Sequence, residues 1–197
     1  DTLKDLRWRH YFVLVAAHTA IRNTTSAKVV FVECGVCDGL TILYAVKASS
    51  DYDVDVKTYL YDSWGEMKDE HLLDSEKDSK GKYSYLDINT TMRNLKSIDD
   101  NNLVFNKGYI PDIFDKANNP ENLNFLHIDL NSARPTIQAL DYFWEDLVCG
   151  GVVLFDDYAY PGYESTKSAV DEWANSRLVS VIQLPTGQGL IIKDARR

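Results

Sequence analysis

Apolar and polar positions along this chain follow two periods in alternation. From Leu3 to Ile21 the residues Leu6, Tyr11, Leu14, Val15, His18 and Ile21 recur at helical spacing and predict a leading amphipathic helix, which Asn23 to Ser26 break. Val29 to Glu33 is a continuous apolar run of strand length, followed by Gly35, Gly39 and a helix over Leu40 to Lys47. Thr58 to Tyr61 predicts a second strand ending at Asp62, Leu86 to Ile98 a helix, and Leu103 to Asn106 a short strand. Phe125 to Asp129 and Val152 to Asp157 are two further strands, joined by a helical pattern that runs from Asn131 and closes in Gly150-Gly151. Glu164 to Ser176 reads as a helix and Leu178 to Leu184 as a strand. The turn residues Pro185 to Gly189 then fold Leu190 to Lys193 back as an antiparallel hairpin partner. Only between Gly65 and Tyr83 does the pattern lapse into polar, charged sequence, with a short helix around His71 and Leu72; residues 65–85 read as an excursion or lid.

Strands alternating with helices predict an α/β fold with a mainly parallel, doubly wound sheet and an antiparallel strand at its C-terminal end. Residues 1–197 read as one domain, opened by the leading helix within 1–27. A strand, a helix and a second strand form a right-handed crossover, so the two acid-tipped strands run parallel and end on the same edge. As neighbours about 5 Å apart, they bring Asp129, Asp156 and Asp157 together where open α/β sheets bind ligands. Three crowded carboxylates repel unless protonation or a hard cation relieves them, which makes the trio a candidate metal site. A helix cap plus a solvated acid is the plainer reading of Asp156-Asp157.

The first strand-to-helix turn, Glu33 to Gly39, carries two glycines that permit a tight turn and close approach of a nucleotide-type cofactor. The nicotinamide fingerprint G-x-G-x-x-G is not met, and helix–sheet packing alone also explains a glycine pair. Asp62, closing the second strand, stands where an acid accepts hydrogen bonds from ribose hydroxyls. Cys34 and Cys37 form a C-x-x-C pair in the same turn, which opens a redox alternative. Cys34 falls inside the strand end, however, and reads as a small buried apolar residue. His127, inside an apolar strand, reads as a core residue.

Composition narrows the partners. A net charge of −9 argues against nucleic acid. No apolar run approaches the roughly 18 residues of a membrane span, and three cysteines are too few for a disulfide scaffold, which predicts a cytoplasmic setting. The apolar stripe of the leading helix offers a face for a homodimer.

Taken together, the segments Val32 to Gly39, Tyr61 to Gly65, Lys107 to Asp112, His127 to Asn131 and Gly150 to Tyr158 resemble class I S-adenosylmethionine-dependent methyltransferases, and more closely the macrocin O-methyltransferase family. The resemblance runs from Val29 to Trp173. It implies a Rossmann-like seven-stranded sheet whose last strand is antiparallel, and methyl transfer to a hydroxyl of a small sugar or natural-product substrate. It implies that Glu33, Gly35 and Gly39 shape the methionine side of the cofactor site, that Asp62 and Ser63 hold the ribose, and that Gly108 and Tyr109 lie near the adenine. It also implies Mg²⁺ on Asp129, Asp156 and Asp157. For such chemistry Asp129 is a candidate base for the substrate hydroxyl and His71, in the lid segment, a second candidate, with a solvated surface histidine its plainer reading. Members of the family usually carry a further acid two residues beyond the first metal ligand; here that residue is Asn131. A metabolite-binding module without chemistry is the non-enzyme alternative. Trp64, Tyr109, Tyr158 and Tyr160 follow strand ends and are candidate pocket walls.

Overall fold

In the computed structural model, residues 5–194 are described. The elements are α1 (Leu6–Arg22), β1 (Lys28–Cys34), α2 (Leu40–Lys47), β2 (Asp55–Asp62), α3 (Ile88–Asn94), β3 (Leu103–Lys107), β4 (Leu123–Ile128), α4 (Ala133–Trp144), β5 (Leu147–Phe155), α5 (Glu164–Ser176), β6 (Ile182–Gln183) and β7 (Gly189–Ile192). Leu3, the predicted start of the leading helix, lies outside the described residues; α1 opens at Leu6, with the Asp5 carboxylate accepting the Arg7 N–H at 3.1 Å as its N-cap.

Seven strands form one sheet in the order β3-β2-β1-β4-β5-β7-β6. β7 runs antiparallel to both its neighbours, and every other pairing is parallel. The central strands read as unbroken apolar runs because both faces are buried. Successive residues point into opposite cores: Val32, Tyr61, Leu126 and Phe155 pack with α4 and α5, while Phe31, Leu60, Phe125 and Leu154 pack with α1 and α2.

Two expectations change here. Gly150-Gly151 does not close a helix; both residues lie within β5, which starts at Leu147. Register slips between the Leu123–Leu147 and Phe125–Val152 pairs, and Gly150 at φ +78° supplies the irregular backbone. The predicted strand over 178–184 shrinks to Ile182–Gln183, an exposed edge.

Chain order reverses between β1 and β4. After β1 the chain steps outward through β2 and β3, and then returns past β1 to β4 and β5. This switch point leaves a crevice beyond the C-terminal ends of β1 and β4, where open α/β sheets take ligands.

Candidate active site

Backbone hydrogen bonds carry the strand ends past the sheet in step: Gly35 N–H to Tyr61 O, Asp129 N–H to Cys34 O, Gly108 N–H to Asp62 O and Asp156 N–H to Ile128 O. The β1 turn fits against β4 so closely that a Cβ on Gly35 would stand 1.8 Å from the Asp129 carbonyl oxygen, and its φ of +85° is itself a glycine conformation. Asp62 organises this turn: one carboxylate oxygen accepts the N–H groups of Val36 (2.7 Å) and Cys37 (2.9 Å), and the other that of Trp64 (2.6 Å).

Beyond these ends lies a cleft of about 900 Å³, counted out to its open mouth. Gly35, Asp62, Ser63, Gly108, Tyr109, Asp129 and His71 all line it. The structure thus brings seven of the sequence-predicted residues to one cavity. Glu33, Gly39, Asp156 and Asp157 do not line it. Glu33 is fully buried behind it, and Gly39 starts α2 at φ +87° against Leu95 and Thr91. Of the predicted pocket walls, Tyr109 lines the cleft. Trp64 is buried and bonds Cys37 O and Thr91 through its indole N–H, and Tyr158 is buried with its hydroxyl on Asp171.

The segment after β2 is ordered by side chains rather than by regular structure. The Tyr109 ring is stacked on His71 (5.0 Å, 6°) and lies under Lys68 Nζ (4.2 Å), and its hydroxyl donates to Glu66 O (2.9 Å). Glu76 reaches the start of α4, accepting from Ala133 N–H (2.9 Å) and the Ser132 hydroxyl (2.8 Å) while also holding Leu73 N–H (2.9 Å). A carboxylate from a distant segment thereby caps this helix, whose own Ser132 makes no capping bond. Tyr83 and Tyr163 both donate to Asn131 Oδ1, at 3.0 and 2.7 Å, while Asn131 Nδ2 donates to Asp129 Oδ1 at 3.3 Å.

Asp129, Asp156 and Asp157 offer oxygens that all lie within 4.8 Å of one another. The sequence reading missed two of their partners. Arg9, on α1, places Nη2 on a carboxylate oxygen of Asp156 and 3.2 Å from Asp157 Oδ1; Gln188, in the final turn, donates to Asp156 Oδ1 at 2.8 Å. Arg9 lies on the stripe of α1 that is buried, four residues before Val13, whereas Leu6, Tyr11 and Val15 of the expected stripe are exposed. Neither Arg9 nor Gln188 carried a local signal. His127 bridges the cluster to Glu33: Nδ1 lies 2.9 Å from Glu33 Oε1 and Nε2 3.8 Å from Asp156 Oδ1.

Charge follows from these contacts. Burial raises the pKa of Asp129 well above the usual carboxylate range, and Asp156 and Asp157 push it in the same direction. Asp157 rises to about 6, through burial and then the Asp156 charge, with Arg9 opposing. Asp156 shifts down: burial opposes its ionisation, but His127, Arg9 and Gln188 outweigh it. His127 is driven to about 10, because Asp156 and Glu33 overcome the burial that disfavours an imidazolium. Burial raises Glu33, and His127 opposes that shift.

A divalent cation fits these residues. The crowding of three carboxylates around one guanidinium is part of what raises Asp129 and Asp157, and Asp157 Oδ2 is buried with no hydrogen-bond partner. A redox pair does not fit. Cys34 and Cys37 are free thiols in a seven-stranded, mainly parallel sheet; burial raises the Cys34 pKa well above its ordinary value and that of Cys37 to about 11, the reverse of an activated thiol.

A mainly parallel seven-stranded sheet with β7 reversed, and a ligand crevice at the β1–β4 switch, define the Rossmann-like methyltransferase class. The macrocin O-methyltransferase (TylF) family profile matches residues 14–183, and the chain belongs to that family. It is accordingly an S-adenosylmethionine-dependent O-methyltransferase. Among solved structures it resembles the O-methyltransferase NovP, with a TM-score of 0.74, 20% identity, and coverage of 94% of this chain and 79% of that one. It also resembles the calicheamicin methyltransferase CalS11, with a TM-score of 0.73, 14% identity and coverage of 96% and 80%; CalS11 is described as a TDP-rhamnose 3′-O-methyltransferase. The Podospora anserina methyltransferase PaMTH1, solved with S-adenosylhomocysteine, gives a TM-score of 0.58 at 14% identity over 98% and 81%. At these identities the structural likeness is one of fold. No curated protein matches the sequence. No helix among the described residues is long and apolar enough to cross a membrane.

Proposed function

We propose that this protein methylates a hydroxyl of a small sugar or natural-product molecule, assisted by a divalent cation, Mg²⁺, on Asp129, Asp156 and Asp157. One observation carries the reading: a single cleft begins at Tyr109 and Gly108, passes Ser63, Asp62 and Gly35, and reaches Asp129, which belongs to a trio of carboxylates within 4.8 Å. Sugar methylation by CalS11 supports the acceptor class.

In this reading Gly108 and Tyr109 face the adenine, with Lys68 and His71 steadying the tyrosine ring from the segment after β2, which serves as a lid. Ser63 and Asp62 face the ribose. Asp62 has already spent three contacts on backbone N–H groups, so its first task is to hold the turn the ribose rests on. Gly35 keeps the turn close to Asp129, and Glu33 acts from behind through His127. S-adenosylmethionine supplies the sulfonium methyl, and a bound Mg²⁺ supplies a lowered pKa and a fixed orientation for the acceptor hydroxyl. Asp129, the member of the trio that lines the cleft, is the carboxylate placed to take that proton, on the oxygen that Asn131 leaves free. His71 stacks on Tyr109 and pairs with Glu70 at 3.5 Å, which suits it to the cofactor wall rather than to proton transfer.

Calorimetry with S-adenosylhomocysteine, followed by transfer of labelled methyl groups to a panel of sugars and polyhydroxylated natural products with and without EDTA, tests the proposal. Cofactor binding and EDTA-sensitive transfer are expected. Undiminished transfer in EDTA would remove the cation, and no binding at millimolar cofactor would remove the function.

A further inference from the structure

Arg9 holds the acid trio in an unusual way. An arginine that pairs optimally with a carboxylate uses two parallel N–H groups. Here Nη2 alone reaches the Asp156 carbonyl oxygen (2.7 Å), Asp156 Oδ2 and Asp157 Oδ1 (3.2 Å), while Nε is buried without a partner. The guanidinium therefore meets the cluster as a point charge among oxygens, the manner in which a cation is held. It also takes the oxygen a cation would need. Asp156 Oδ1 is committed to Gln188 and faces His127, so Oδ2, the atom under Arg9, is what Asp156 has left to offer.

We infer that Arg9 is a tethered counter-cation that competes with the divalent ion for Asp156 and Asp157, so that loading the site and seating the start of α1 oppose each other. This inference rests on the divalent-cation reading above. Within Leu6–Phe12 the only buried residue is Arg9; Leu6, Trp8 and Tyr11 are 60%, 49% and 51% exposed. The later turns are fixed independently by Val13, Ala16, Ala17, Ala20 and Ile21. The first two turns are thus anchored through the acid trio, with His10 stacked on Tyr44 of α2 and a long hydrogen bond from Gln188 Nε2 to Arg9 O (3.4 Å) as further holds. A divalent ion on Asp156 Oδ2 repels the guanidinium and weakens that anchor. The Tyr160 ring, 5.0 Å from the guanidinium carbon, gives the displaced charge an aromatic face to rest on. Linkage makes the effect reciprocal: whatever loosens Arg9 tightens the cation.

The test uses Mn²⁺ as probe, with cofactor-free protein. Calorimetric titration of the native chain and of Arg9→Met should show Mn²⁺ binding at least tenfold tighter in the variant. Hydrogen exchange of the native chain should show Mn²⁺ accelerating exchange in residues 6–12 while leaving 13–22 unchanged. Equal or weaker Mn²⁺ binding by Arg9→Met overturns the inference and leaves the cation reading standing, as does slower exchange in 6–12 on adding Mn²⁺. If neither protein binds Mn²⁺ at millimolar concentration, the cation reading itself fails and the inference with it. Should Arg9→Met not fold, the exchange measurement on the native chain decides alone.

Discussion

Asp62→Ala should lower the stability of the fold far more than an ordinary loop substitution, because one carboxylate secures three backbone N–H groups at 2.6–2.9 Å from two separate turns. Asp62 is 9% exposed, so water replaces few of these contacts when the side chain is removed. Each hydrogen bond to a charged group contributes about 1.5–3 kcal/mol. Three summed without interaction would overshoot, since the partners share one side chain and the Cys37 N–H can be rehydrated. A loss of about 3–6 kcal/mol is expected, a large part of the 5–15 kcal/mol typical of a domain. Asp62→Asn should cost about 2–4 kcal/mol, because the amide keeps one acceptor and turns donors toward the remaining N–H groups. Urea denaturation followed by circular dichroism measures both. A loss below about 1 kcal/mol for Asp62→Ala would refute the role assigned here and return Asp62 to a purely ligand-facing one.

Three further outcomes are expected. Glu76→Ala should release the segment after β2 from α4, raising the S-adenosylhomocysteine Kd roughly tenfold, about 1.4 kcal/mol, and opening residues 65–85 to limited proteolysis; unchanged Kd and cleavage would contradict the clamp. His127 keeps its proton to a pH of about 10 when folded against 6.5 as the reference value, so its contribution is complete below pH 6.5 and is lost as pH rises towards 10; a urea midpoint that falls across that window in the native chain, and less in His127→Gln, is the expected result. Asn131→Asp should replace the donor to Asp129 by a fourth acid, lowering Tm in EDTA, with Mn²⁺ restoring more of it than in the native chain.

Much of the fold was legible because parallel strands buried on both faces are written as contiguous apolar runs. The three carboxylates could be placed together because a crossover fixes which strand ends share an edge. Gly150-Gly151 misled because a glycine pair after a helix and a glycine irregularity inside a strand are the same letters; only the register against β4 separates them. Arg9 lies 147 positions from Asp156, and Gln188 32 positions from it, so no local pattern links them to the site. The segment after β2 read as loose because its order comes from single side chains, Glu76, Tyr83 and His71, meeting distant groups. The role of Asp62 in holding the turn was hidden for the same reason: a strand-end acid that accepts backbone N–H groups looks, in sequence, like one that accepts ribose hydroxyls.

The most direct test of the account is a crystal structure grown with S-adenosylhomocysteine and Mn²⁺, with diffraction recorded for the manganese anomalous signal. The account predicts adenine density against Tyr109, ribose beside Asp62 and Ser63, and one anomalous peak among Asp129, Asp156 and Asp157. Cofactor density outside this cleft, or full cofactor occupancy with the trio still closed on Arg9 and no anomalous peak there, would contradict it.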